Sequence, residues 1–160
     1  METSAIKGLS FGMTSGVITT LGLIVGIDAG TNSRLAIMAG IVAIAVADAF
    51  SDASAMHVSE EAEKVHSSDQ VRSSTLWTFV AKFVVAMSFL VPFLILHEDE
   101  AVVVDVVWGL LLTAVLNYFI AKQQKETSLW PIVEHVGIAV IVIAITYFVG
   151  TLISYLFGTS

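Results

Sequence analysis

Cysteine is absent from the 160 residues, which excludes thiolate metal sites and disulfides. Charge is scarce as well. Only 13% of residues are charged and mean hydropathy is +0.89, whereas a soluble domain carries about 25% charge. No basic cluster precedes the first apolar run, which is also too long and too glycine-rich for a cleaved signal peptide, so we read it as a retained helix. The net charge of −7 gives no reason to expect nucleic acid as a partner.

What the chain does contain is apolar runs of bilayer length. Crossing a hydrocarbon core of ~30 Å takes about 20 residues, and five such runs fit: Gly8 to Ile27, Leu35 to Ser59, Leu76 to Leu96, Ala101 to Ala121 and Pro131 to Phe157. They predict an all-α polytopic protein. A single transmembrane domain would fill residues 1–160, with the lipid bilayer as its solvent and a short acidic connector at 60–75. With the N-terminus inside, Lys7, Lys64, Arg72, Lys82, Lys122 and Lys125 lie on or near the inner side and only Arg34 lies outside. Five crossings then put the C-terminus outside. The expected location is the cell membrane of a prokaryote.

Gly8, Gly12 and Gly16 recur at four-residue spacing in the first run, with Gly22 and Gly26 repeating it further along. Small residues so spaced let helices approach closely in lipid. The second run offers Ala36 with Gly40, then Ala39, Ala43, Ala47 and Ala55, so helices 1 and 2 are expected to pack as a pair. The same face is equally suited to a dimer seam.

Asp48 and Asp52 are the strongest functional signal. They lie one turn apart in a run otherwise made of Ala, Ile, Val, Met and small polar residues. A charge near the bilayer centre costs from about 3 to more than 10 kcal/mol, so acids there mark ion pathways or proton relays. With the inner interface near Glu60, Asp52 should lie about 12 Å deep and Asp48 about 18 Å deep. Met56, Ser59, Glu60 and Glu63 continue the stripe to the inner exit. Carboxylates interrupted by a thioether suit a cation path, oxygen favouring hard divalent ions and sulfur softer transition metals. His57 points about 100° away, as a surface or supporting residue.

Asp52 also has a bland explanation. Lys82 should lie roughly 10 Å deep on the third helix, where the two would neutralise each other. Asp48 has no basic residue expected at its depth. Asp105 should sit a turn below the outer surface and snorkel, and Asn117 should bond to a neighbouring helix. Glu134 and His135 begin the fifth helix after Trp130 and Pro131, where an acid suits the helix dipole.

The run SGVITTLGLIVG at 15–26 and the run ADAFSDASAMHVSEEAE at 47–63 resemble the vacuolar iron transporter family. The resemblance implies five helices, an inside N-terminus and a long second helix projecting into the cytoplasm. It also implies a homodimer that exchanges Fe²⁺ or Mn²⁺ for protons. The chain departs from the family in several places. Ser15 stands where the family has an Asp before the glycine. The family's Ser-Met-x-x-Gly-Glu pattern corresponds to Ser51, Asp52, Ala53, Ser54, Ala55 and Met56, so acid and thioether are exchanged. The family's large glutamate-rich cytoplasmic domain shrinks to Glu60 through Thr75, where Glu60, Glu61, Glu63 and His66 form either a remnant metal-collecting patch or a solvated acidic loop.

The expected function is therefore proton-coupled transport of a divalent cation, without enzymatic activity. Metal ligands would be Asp48, Asp52, Met56, Glu60 and Glu63, and Ser15, Thr19, Ser51 and Ser59 would line the path. A non-transporting scaffold, with Asp52 held by Lys82, is the alternative. An intramembrane aspartyl hydrolase fits less well, because its Gly-x-Gly-Asp signature is missing and both acids share one helix.

Overall fold

The computed structural model describes residues 3–123 and 129–158, so Lys125 of the charge comparison lies outside the described residues. The helices are α1 (Thr3–Thr31), α2 (Arg34–Glu63), α3 (Ser68–Ser88), α4 (Leu90–Ile95), α5 (Glu98–Gln123) and α6 (Trp130–Phe157). No strand occurs among the described residues. Five spans are long and apolar enough to cross a membrane, α3 and α4 forming one of them. The chain is thus built as an integral membrane protein.

The helices outrun the apolar runs because capping groups, rather than hydropathy, set their ends. Ser33 Oγ accepts from the Ala36 N–H at 3.3 Å to start α2. Ser67 and Gln70 form a reciprocal capping box at the start of α3, with distances of 2.9 and 3.4 Å. Lys64, with φ of 54°, ends α2 in the left-handed region. The expected connector at 60–75 therefore contracts to Lys64–Ser67. Glu60 to Glu63 belong to α2, and α3 begins eight residues before Leu76.

Pro92 accounts for the α3–α4 break. It has no N–H for the Ser88 carbonyl and its ring crowds that group, so α3 ends at Ser88. Ser88 Oγ then donates to the Val85 carbonyl at 2.6 Å and accepts from Trp108 Nε1 at 3.1 Å.

Helix α1 is the hub. Its Val17, Leu21 and Ile24 join Ile37 and Ile41 of α2 and Phe93 of α4 in the buried core. The glycine stripe does not face α2 as the small-residue pattern suggested. Gly8 and Gly12 lie against the Ser74 and Thr78 carbonyls of α3, and a methyl group on either would run into backbone oxygen. Gly16 follows, its Cβ position 3.3 Å from the Lys82 carbonyl oxygen. Thr78 Oγ1 donates across this seam to the Gly8 carbonyl at 3.2 Å. Helix α2 instead packs Gly40 beneath Leu23 and Ile27, and leaves Ala39, Ala43, Ala47 and Ala55 exposed. Four-residue spacing creates a close-packing face without specifying its partner.

A methyl at Gly12 cannot be absorbed, because the atom it meets is backbone. Gly12→Ala is expected to cost about 2 kcal/mol or more. Gly137, with nothing within 4 Å of its Cβ position, should instead gain about 0.5–1 kcal/mol of helix propensity as Gly137→Ala. Thermal unfolding in detergent checks both; equal melting temperatures for the two variants would show that the α1–α3 seam is loose.

Candidate functional site

Lys82 is the centre of the site. It leaves α3 with only 1% of its side chain exposed, and its Nζ lies 2.6 Å from Asp48 Oδ2 while also contacting Asp52 Oδ2. The same ammonium donates to Ser15 Oγ at 2.9 Å, and Ser15 Oγ donates to Asp52 Oδ2 at 2.7 Å. Three helices thus meet at one cation. Gly16 makes the approach possible, since its missing side chain lets the Lys82 backbone close on α1.

This geometry corrects the expectation that Asp48 lacks a basic partner. A third helix starting at Leu76 would leave Lys82 roughly 10 Å deep, but α3 starts at Ser68. Fourteen residues at ~1.5 Å each put Lys82 about 21 Å from that end, level with Asp48, which lies fifteen residues from Glu63 at the matching end of α2. With Lys82 an ammonium and both carboxylates ionised, the cluster holds two negative charges and one positive, leaving −1. Neither acid is sealed, Asp48 being 26% and Asp52 18% exposed at the side chain.

The lower part of the α2 stripe makes a second centre. Glu60 is fully buried at its side chain and is held by Lys7 of α1 and by His66 Nδ1 at 2.9 Å. Glu63 lies 3.5 Å from Lys7 and 3.7 Å from His66. Glu60, Glu63 and His66 each offer a ligand atom within 4.8 Å of the others, the spacing a metal ion requires. Lys7 therefore does at the end of the stripe what Lys82 does in its middle: a lysine from another helix lies where a cation would bind.

The other stripe residues divide by face. Met56 is buried between the two centres on α2. Thr19 Oγ1 donates back to the Ser15 carbonyl at 2.9 Å, so its hydroxyl is engaged within α1. Ser51 and Ser59 are exposed on the outward face of α2 and lie away from the buried side that carries Met56 and Glu60. His57 is paired with Thr75 at 3.2 Å and with Glu61 at 3.4 Å, a supporting position outside the stripe. Asn117 donates to the Thr113 carbonyl of its own helix at 2.8 Å, rather than to a neighbouring helix among the described residues. Glu134 is exposed, while His135 Nδ1 lies 2.8 Å from the Pro131 carbonyl oxygen.

Two features escaped the sequence reading. One is the role of Lys7 as partner to the buried Glu60, which its position in the first turns of α1 could have suggested. The other is Asp105, which does not snorkel: it is 0% exposed, on a stripe with Ala101, Gly109, Thr113 and Asn117 that the alternation of buried positions along α5 makes plain. Against known proteins, no family model, no curated protein and no solved structure matches the chain.

Proposed function

We propose that this protein is a proton-coupled divalent metal transporter whose path follows the acid stripe of α2. The observation that carries the reading is that two carboxylates, Asp48 and Asp52, share one ammonium, Lys82, within a membrane-spanning helix bundle. An unbalanced carboxylate in low dielectric takes up a cation or a proton. Lys82 acts as a tethered competitor: a divalent ion reaching Asp48 and Asp52 displaces its ammonium toward Ser15 and is released when the ammonium returns. Glu60, Glu63 and His66 collect the ion at the end of the stripe, their oxygens suiting Mn²⁺ as well as Fe²⁺, and Met56 between the centres adds a softer donor that suits Fe²⁺ better than Mg²⁺ or Ca²⁺. Under this reading the Lys7 end faces the cytoplasm, following the distribution of basic residues, and the chain is a minimal relative of the vacuolar iron transporter family.

The protein acts as a homodimer in this scheme. Ala39, Ala43, Ala47, Ser51 and Ala55 form an outward small-residue stripe, and the exposed parts of Asp48 and Asp52 adjoin it. A second copy on that face would cover both acids from lipid. The dimer seam thus moves from the α1 glycines, occupied by α3, to α2.

Purified protein in sealed liposomes tests the proposal. A gradient of Mn²⁺ or Fe²⁺ should drive proton movement that an internal pH dye records, and the protein should run at twice the monomer mass in mild detergent. Liposomes that stay silent for both ions would favour a second reading, a membrane scaffold in which Lys82 merely neutralises two acids, as its burial and paired contacts would also allow.

A further inference from the structure

Asp105 lies about 10 Å inside α5, seven residues after Glu98. It is 0% exposed, and neither carboxylate oxygen has a hydrogen-bond partner among the described residues. Among the described residues the other acids inside the bundle are placed differently: Asp48, Asp52 and Glu60 each have a lysine.

The surroundings supply no base. Helix α5 packs on α1, α4 and α6 and touches α3 through Trp108 and Ser88, where the nearest titratable group along α3, Lys82, is committed to Asp48 and Asp52. On α1 the nearest titratable group toward that end is Asp28. Residues Leu90–Ile95 of α4 carry none, and the only ones in the adjoining half of α6 are Tyr147 and Tyr155, both exposed. On α5 itself stand Glu98, Asp99 and Glu100, and His97 precedes them. Arg34, the one cation of this end, is committed to the Phe93 carbonyl.

A metal ion needs several oxygens at once. Asp105 belongs to no cluster of metal-ligating side chains among the described residues. A proton needs one oxygen. We propose that Asp105 is a proton-binding site, and, resting on the transport reading above, that it carries the exchanged proton on a limb separate from the α2 stripe.

Glu98 lies two turns away on the same face of α5, and it and Asp28 of α1 each have a buried carboxylate oxygen without a partner among the described residues. On the other side of Asp105 the Leu21 side chain fills the space over Gly109, and the stripe resumes with the buried Thr113 and Asn117.

The test uses dicyclohexylcarbodiimide, which attacks protonated carboxyls in apolar surroundings, on the full chain in liposomes. Peptide mass analysis should find the adduct on Asp105, diminishing as pH is raised and absent in Asp105→Asn. In the same liposomes Mn²⁺-driven proton flux should fall about a hundredfold in Asp105→Asn, the usual loss when a proton-transferring group is removed, while Asp105→Glu keeps measurable flux. An unlabelled Asp105, or an Asp105→Asn protein that exchanges at the parental rate, overturns the proposal. Labelling that varies with pH in a protein that moves no metal would instead sink the transport reading and leave the proton site standing.

Discussion

Replacing Lys82 by methionine is expected to be among the most damaging single changes in the bundle, at about 3–5 kcal/mol. The side chain is almost wholly buried and holds two carboxylates together, so its loss strands two like charges one turn apart in α2. Either acid alone behaves differently. Asp52→Asn leaves Asp48 and Lys82 as a balanced pair, and Asp48→Asn leaves Asp52 and Lys82, so each single acid variant should remain folded and extractable. The triple variant Asp48→Asn, Asp52→Asn, Lys82→Met carries no charge at the site and should recover most of the Lys82 loss, a non-additive result that only a shared network produces. Thermal unfolding in detergent measures all four. A triple variant no more stable than Lys82→Met would mean that the lysine contributes packing by its stem rather than charge.

The second large effect is on transport. Asp48 is the more exposed of the two acids and, unlike Asp52, has no contact with Ser15. It is the ligand freest to exchange Lys82 for an incoming ion. Asp48→Asn removes the negative charge that makes the exchange favourable. Metal-driven proton flux should fall by at least about a hundredfold, equivalent to ~3 kcal/mol at the binding step. Because the stability argument above predicts a folded Asp48→Asn protein, loss of flux without loss of melting temperature is the expected pair of results. Parental flux would take Asp48 off the path, and a collapsed melting temperature would make it structural.

The membrane class and the unusual placement of Asp48 and Asp52 in an apolar helix were legible in the sequence because hydropathy reports directly on which solvent a helix can bear. A carboxylate in an apolar run stands out without any knowledge of its neighbours. The partner of Asp48 was not legible, since depth depends on where α3 starts, and that is set by Ser67 and Gln70 rather than by the apolar run. The face of Asp105 was hidden for another reason. On a helix apolar nearly all round, periodicity cannot say which side meets protein and which meets lipid. Glycine spacing suffered the same loss: Gly8, Gly12 and Gly16 announced a close neighbour, and only the packing named α3. Glu60 and Glu63 lie on the expected stripe, but the closure of His66 upon them depends on the left-handed turn at Lys64 and that of Lys7 on the packing of α1 against α2.

The central position of α1 has a consequence for biogenesis. Its glycines serve two non-adjacent partners: Gly8 and Gly12 admit α3, whereas Gly22 lies against Val142 and Gly26 and Gly30 against Thr146 and Gly150 of α6. During synthesis α1 is made well ahead of α6, and the surface it reserves for α6 stays open to lipid while the four intervening helical segments are made. Small residues gain little from lipid contact, so this face of α1 stays unsettled until then, even after the Gly8 and Gly12 side has closed on α3. The packing of α1 should consequently be completed only when α6 inserts, and a nascent chain halted before Trp130 should remain more open to membrane quality-control proteases than one that carries α6.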